Sequence, residues 1–169
     1  MSDAIRCAGR VTANTKVSSG LIRLDLDLEM PTSFAPGQFA MLNLLPESAA
    51  FVFGRPFSIF AADGRDVSFL YRVVGRGTAS LAELAPGDGV SYLGPLGRPF
   101  PGPEADRPVM LLGGGVGLPP VWAWLERWGR AGDIACFGAR DGHDVPWSLL
   151  DSRWAVSVDA PEGVPADRS

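Results

Sequence analysis

At 169 residues the chain has room for one ordinary domain or two short ones, and its 46% hydrophobic content is enough for a packed core. A formal net charge of -4, with no run of Lys or Arg, offers no field for a phosphate backbone and excludes nucleic acid as a partner. The apolar runs are too short to span a bilayer and residues 1–17 lack the apolar stretch of a signal peptide, so a cytoplasmic protein away from the membrane is expected.

Turns should be frequent, because the chain holds 21 Gly and 15 Pro. From Arg6 to Phe100 the pattern is alternating and β-branched. Residues 21–28 alternate apolar and charged side chains, as a strand with one wet face does. Residues 39–44 follow the turn Ala35-Pro36-Gly37, and residues 57–60 and 67–74 continue the series around an Asp63-Gly64 turn. Short strands at this spacing predict an antiparallel barrel or sandwich. One helix is predicted over residues 78–84, stopped by Pro86-Gly87-Asp88-Gly89, and residues 94–100 read as a tight closing turn.

After Pro101-Gly102-Pro103 the pattern changes. Residues 109–112 are wholly apolar, as in a buried parallel strand, and lead into Gly113-Gly114-Gly115-Val116-Gly117 and a helix through Val121 to Arg130. Residues 134–137 and 154–158 read as second and third strands, which makes the start of a βαβ nucleotide-binding unit. Roughly sixty residues follow the beginning of its first strand, about half of what an open doubly wound sheet needs. Cys7 and Cys136 stand too far apart for a local metal or redox motif and read as inert thiols.

Four clusters carry the candidate chemistry. Arg55-Pro56-Phe57-Ser58 offers a cation and a hydroxyl from one extended strand; alone, it reads equally as a strand entry with a surface Arg. Tyr71-Arg72-Val73-Val74-Gly75-Arg76-Gly77-Thr78 runs a strand into a glycine turn that opens a helix. Backbone N–H groups and two arginines there suit an anion, and the plainer reading is a Gly-rich turn with solvated charges. Gly94-Pro95-Leu96-Gly97-Arg98-Pro99-Phe100 decides nothing by itself. Gly113-Gly114-Gly115-Val116-Gly117-Leu118-Pro119-Pro120 stands between a buried strand and a helix, the setting that favours a nucleotide, although its prolines depart from G-x-G-x-x-G. Asp141 and Asp144 could address a ribose hydroxyl but are expected to be solvated loop residues. His143 is expected on the surface, not as a catalyst.

In this order the clusters resemble the ferredoxin–NADP reductase superfamily. Together with Pro36-Gly37-Gln38-Phe39, Leu70 and Leu111-Leu112, they are similar to the electron-transfer subunits of dihydroorotate dehydrogenase, which serve pyrimidine biosynthesis. The resemblance implies an antiparallel six-stranded Greek-key FAD-binding barrel with one helix over residues 1–102. A partial parallel-sheet NAD(P)-binding α/β domain over residues 106–169 would follow. It implies an NAD(P)H-linked, FAD-dependent oxidoreductase that needs no catalytic side chain, because the flavin carries the chemistry. Arg55, Pro56, Phe57 and Ser58 would contact the flavin and its phosphates. Leu70, Tyr71 and Arg72 would line its isoalloxazine and ribityl side, and Gly77 and Thr78 would hold the pyrophosphate. Gly113, Gly114, Gly115 and Gly117 would face the pyridine nucleotide.

Two departures stand out. The cysteine cluster for a [2Fe-2S] centre and the Cys-Gly segment of the superfamily's nucleotide domain have no counterpart in this sequence, so a truncated or reduced relative is expected. The expected partner is a catalytic dehydrogenase or another redox subunit. Trp122, Trp124, Trp128, Trp147 and Trp154 predict apolar surface that such a partner, or self-association, would cover. Two alternatives remain: the reductase component of an oxygenase or hydrogenase, suggested by Gly138-Ala139-Arg140-Asp141, and a flavin-binding docking module without turnover.

Overall fold

The computed structural model describes residues 3–45 and 54–168. Strands β1 (Ile5–Lys16), β2 (Ile22–Leu28), β3 (Phe39–Leu45), β4 (Arg55–Asp63), β5 (Asp66–Tyr71) and β6 (Gly89–Leu96) close into a barrel in the order β1-β2-β5-β4-β3-β6. All six neighbouring pairs are antiparallel, and the jump from β2 to β5 makes the path a Greek key. The alternation in β2 does the expected work: Leu24, Leu26 and Leu28 fill the interior, while Arg23, Asp25 and Asp27 stay outside. Phe57, Phe69, Tyr71 and Tyr92 meet edge-on or tilted in the barrel core.

Helix α1 (Arg76–Ala82) begins and ends two residues earlier than the sequence suggests. Its Leu81 is wholly buried in the barrel core. Asn14 ties the helix end down, donating to the carbonyls of Leu81 (2.9 Å) and Leu84 (3.1 Å) while accepting from the Tyr71 hydroxyl (3.0 Å). Two boundaries differ from the sequence reading. Strand β5 stops at Tyr71, and the chain leaves the sheet before Val73 and Val74, which are 46% and 80% exposed. The expected turn at residues 94–100 instead begins as strand, because Gly94 pairs with Ile5; a Cβ on Gly94 would lie 2.7 Å from that of Ala40.

The second sheet is parallel, in the order β7 (Met110–Gly114), β8 (Ile134–Asp141), β9 (Trp154–Ala160), with α2 (Leu118–Trp128) crossing from β7 to β8. Pro119 and Pro120 occupy the first turn of α2, where a missing N–H costs nothing. Helix α2 lies between sheet and barrel. One apolar cluster joins Leu111, Val121, Trp124 and Phe137 to Phe60 and Leu70 on the barrel's outer wall, and the Phe60 and Trp122 rings stack at 4.2 Å. The tryptophans are therefore internal cover and do not form the exposed surface expected of them: Trp124 and Trp154 are buried, and the other three are half-buried. Exposed apolar side chains lie on the opposite face of the sheet, at Met110, Leu112 and Ile134. Among the described residues no helix is long and apolar enough to cross a membrane.

Candidate cofactor and nucleotide site

Strands β4 and β5 are antiparallel with Ile59 opposite Phe69, so β4 enters the barrel at the end where β5 leaves it. That register places Arg55 and Pro56 on the same rim as residues 72–77. Arg55 and Pro56 are exposed and Ser58 is half-buried. Phe57 turns inward, packing edge-on against Tyr71 at 5.9 Å. Leu70 is buried in the seam with α2, and Tyr71 is buried in the barrel, where desolvation pushes its hydroxyl up to about 12. Of the predicted cofactor residues, the structure thus brings Arg55, Pro56, Ser58, Arg72 and Thr78 to one rim, with Gly77 buried beside Thr78 at the start of α1. Phe57 and Tyr71 support that rim from the barrel core, and Leu70 packs on the outer wall behind it.

Thr78 shapes the turn. Its hydroxyl accepts from the N–H of Val74 (2.9 Å) and Gly75 (3.2 Å) and donates to the Gly75 carbonyl (3.1 Å). The outcome is a fixed loop with Val73, Val74, Gly75 and Arg76 exposed. Exposed apolar side chains beside a cation suit a flat aromatic group carrying phosphates. This is the fit required of a flavin nucleotide.

At the other strand bundle, β7 runs into a 3-10 turn at Gly115–Gly117 and then into α2. Gly115 has φ +52, a left-handed conformation that favours glycine, and a Cβ on Gly114 would stand 3.1 Å from the Gly138 carbonyl. Small residues let this loop lie close over β8. Beside it opens a cavity of about 540 Å³, walled by Arg72, Gly115, Val116, Phe137 to Arg140, Asp144, Ser157 and Asp159. It lies at the carboxyl ends of all three parallel strands, where open α/β sheets bind ligands.

The charges here are organised around Asp144. Contrary to the expectation of a solvated loop residue, its side chain is only 7% exposed. It accepts a short hydrogen bond from the Ser19 hydroxyl and bonds of 3.2 and 3.0 Å from Nε and a terminal nitrogen of Arg140, with Arg72 at 4.0 Å. The Ser19 hydroxyl first, then Arg140 and Arg72, hold this carboxyl below the usual range against the opposing effect of burial. Asp141 caps its own turn by accepting from the N–H of His143 (2.9 Å) and Asp144 (3.2 Å), and His143 is exposed. Sequence reasoning overlooked Ser157 and Asp159 in the cavity, and Ser19 beneath it. The polar ending of β9 was the available signal for the first two; nothing local marked Ser19.

No protein-family model matches the chain. It is 35% identical over 117 residues to the dihydroorotate dehydrogenase B (NAD(+)) electron transfer subunit of Listeria monocytogenes, covering 67% of this chain and 45% of that one. The subunit of the same name from Shouchella clausii is 32% identical over a 170-residue alignment, covering 93% of this chain and 65% of the relative. The chain is a homologue of these electron transfer subunits. It spans 45% and 65% of the length of these two relatives. The fold of this homologue is that of ferredoxin reductases. The reductase of carbazole 1,9a-dioxygenase superposes with a TM-score of 0.78 at 24% identity, over 92% of this chain and 51% of that one. An Amycolatopsis cytochrome P450 reductase gives 0.71 at 26%, over 86% and 46%.

Proposed function

We propose that the chain is a cytoplasmic flavoprotein that binds FAD on the barrel rim and passes electrons between it and a pyridine nucleotide in the sheet cavity. One observation carries the reading. Arg72 leaves the barrel at the end of β5, yet its guanidinium lines the cavity at the carboxyl ends of β7 to β9, so the two surfaces adjoin. Residues 1–102 form the flavin domain in this reading, and residues 106–169 belong to the nucleotide domain.

Arg55 and Arg76 supply charge to the flavin phosphates, and the backbone at Gly77 and Thr78 approaches them. Pro56, Ser58, Val73 and Val74 flank the ring system. Gly113, Gly114, Gly115 and Gly117 admit the pyridine nucleotide, Arg140 meets its phosphates and Asp159 its polar end. When bound, FAD supplies the redox chemistry, and the protein's part is to orient and screen. No side chain acts as an acid or base.

The partner we infer is a catalytic subunit that oxidises dihydroorotate, on the strength of the homologues' shared name. A second reading, the reductase of an oxygenase, is favoured by the likeness to the cytochrome P450 reductase. Anaerobic addition of NADH to FAD-loaded protein tests the common core of both. Bleaching of the flavin band, restored by air, is expected. A flavin that dithionite reduces and neither NADH nor NADPH does would contradict the nucleotide half.

A further inference from the structure

We propose that Asp144 is the positioning residue of the nucleotide cavity: one carboxylate joins barrel to sheet and so aims Arg72 and Arg140 at the phosphates of a bound nucleotide. The inference rests on the reading of the cavity given above.

Both carboxylate oxygens are already engaged. Oδ1 accepts from the Ser19 hydroxyl and lies 4.0 Å from Arg72, and Oδ2 accepts twice from Arg140. With its side chain only 7% exposed, this carboxylate has little surface left for a ribose hydroxyl. Its effect is on the arginines. Arg140 remains 75% exposed and Arg72 36%, so each keeps donor surface for a ligand while Asp144 fixes where it stands. Two guanidinium groups sharing one cavity would repel; the carboxylate between them offsets that repulsion, while Asp159 lies apart on β9, so the cationic end of the cavity is the one at Arg72 and Arg140.

The joint reaches across the molecule. Ser19 and Gly20 belong to the turn between β1 and β2, Arg72 follows β5, and Arg140 is the penultimate residue of β8. The Ser19 N–H also donates to the His143 carbonyl (2.8 Å), a second tie between the same turn and the Asp144 loop. Gly20 packs directly on the pair: a Cβ there would stand 2.6 Å from a terminal nitrogen of Arg72 and 3.1 Å from Oδ1 of Asp144. A methyl at this position must displace Arg72.

The test uses the full FAD-loaded chain, titrated calorimetrically with ADP-ribose, which carries the phosphates without the redox ring. Asp144→Asn should weaken ADP-ribose about tenfold, the scale of one lost charge-assisted contact, with the melting temperature near wild type. Asp144→Glu keeps the charge and should recover most of the loss. Gly20→Ala should weaken binding in the same direction while keeping the carboxylate's charge, and it reads the joint even where Asp144→Asn fails to fold. Wild-type affinity in both Asp144→Asn and Gly20→Ala overturns the proposal. So does a fall in melting temperature that accounts for the loss of ADP-ribose, the mark of a purely structural clasp. Wild-type protein that holds FAD but takes no ADP-ribose overturns the cavity reading as well, and that outcome shows before any variant is made.

Discussion

In the barrel every strand has a hydrogen-bonded neighbour on both sides; in the parallel sheet β7 and β9 each keep an open edge among the described residues. The contrast extends to side chains. Leu24, Leu42, Ile59 and Phe69 in the barrel are wholly buried, whereas the sheet covers one face with α2 and leaves Met110 and Leu112 62% and 67% exposed on the other. Closure makes the barrel a self-sufficient scaffold. The sheet instead borrows its core from the barrel wall, through Phe60 and Leu70. A rim built on the first can be stiff; a cavity on the second is held in place by α2 and by the Asp144 contacts.

The largest effect should come from opening the closed core. Phe69→Ala removes a fully buried ring and should cost about 3–5 kcal/mol in urea unfolding. Next is Asn14→Ala, which strands the Tyr71 hydroxyl and frees the end of α1; we expect about 1–3 kcal/mol. Smallest is Leu112→Ser on the bare sheet face, expected to stay within about 0.5 kcal/mol. A Leu112→Ser loss as large as that of Phe69→Ala would show that the face is covered in solution and erase the contrast.

Alkaline unfolding sharpens the same comparison. The Tyr71 hydroxyl titrates higher in the folded barrel, at about 12, because burial disfavours the phenolate. A folded value above the unfolded one contributes stability that is present below pH ~10 and is lost as pH rises toward that folded value. Wild type should therefore lose stability over this window more steeply than Tyr71→Phe. Identical slopes would show that the hydroxyl is not desolvated.

Much of this architecture could be read in the sequence because period-2 alternation survives wherever a strand has one wet face, as in β2. The glycine loop was equally legible, being fixed by its setting between β7 and α2. What escaped depended on closure. Which way Phe57 points is decided by barrel curvature and by rings contributed from β5, so a motif on one strand cannot disclose it. The burial of Asp144 depends on Ser19, 125 residues away, and a loop aspartate carries no mark of so distant a donor. The tryptophans misled for a related reason: their count shows that cover is needed, and the barrel wall that supplies it lies at Phe60.

The most direct test of the central claim is a fluorescence titration of the apoprotein with FAD, run in parallel on wild type, Arg55→Ala and Arg98→Ala. Arg55 stands at the rim where β4 enters, and Arg98 lies in the exposed segment after β6. Wild type should take up FAD to one equivalent, and Arg55→Ala should lose about 1.5–3 kcal/mol of binding, the scale of one charge-assisted phosphate contact. Arg98→Ala should bind as wild type does. A protein that takes up neither FAD nor FMN, or two variants of equal affinity, would contradict the account.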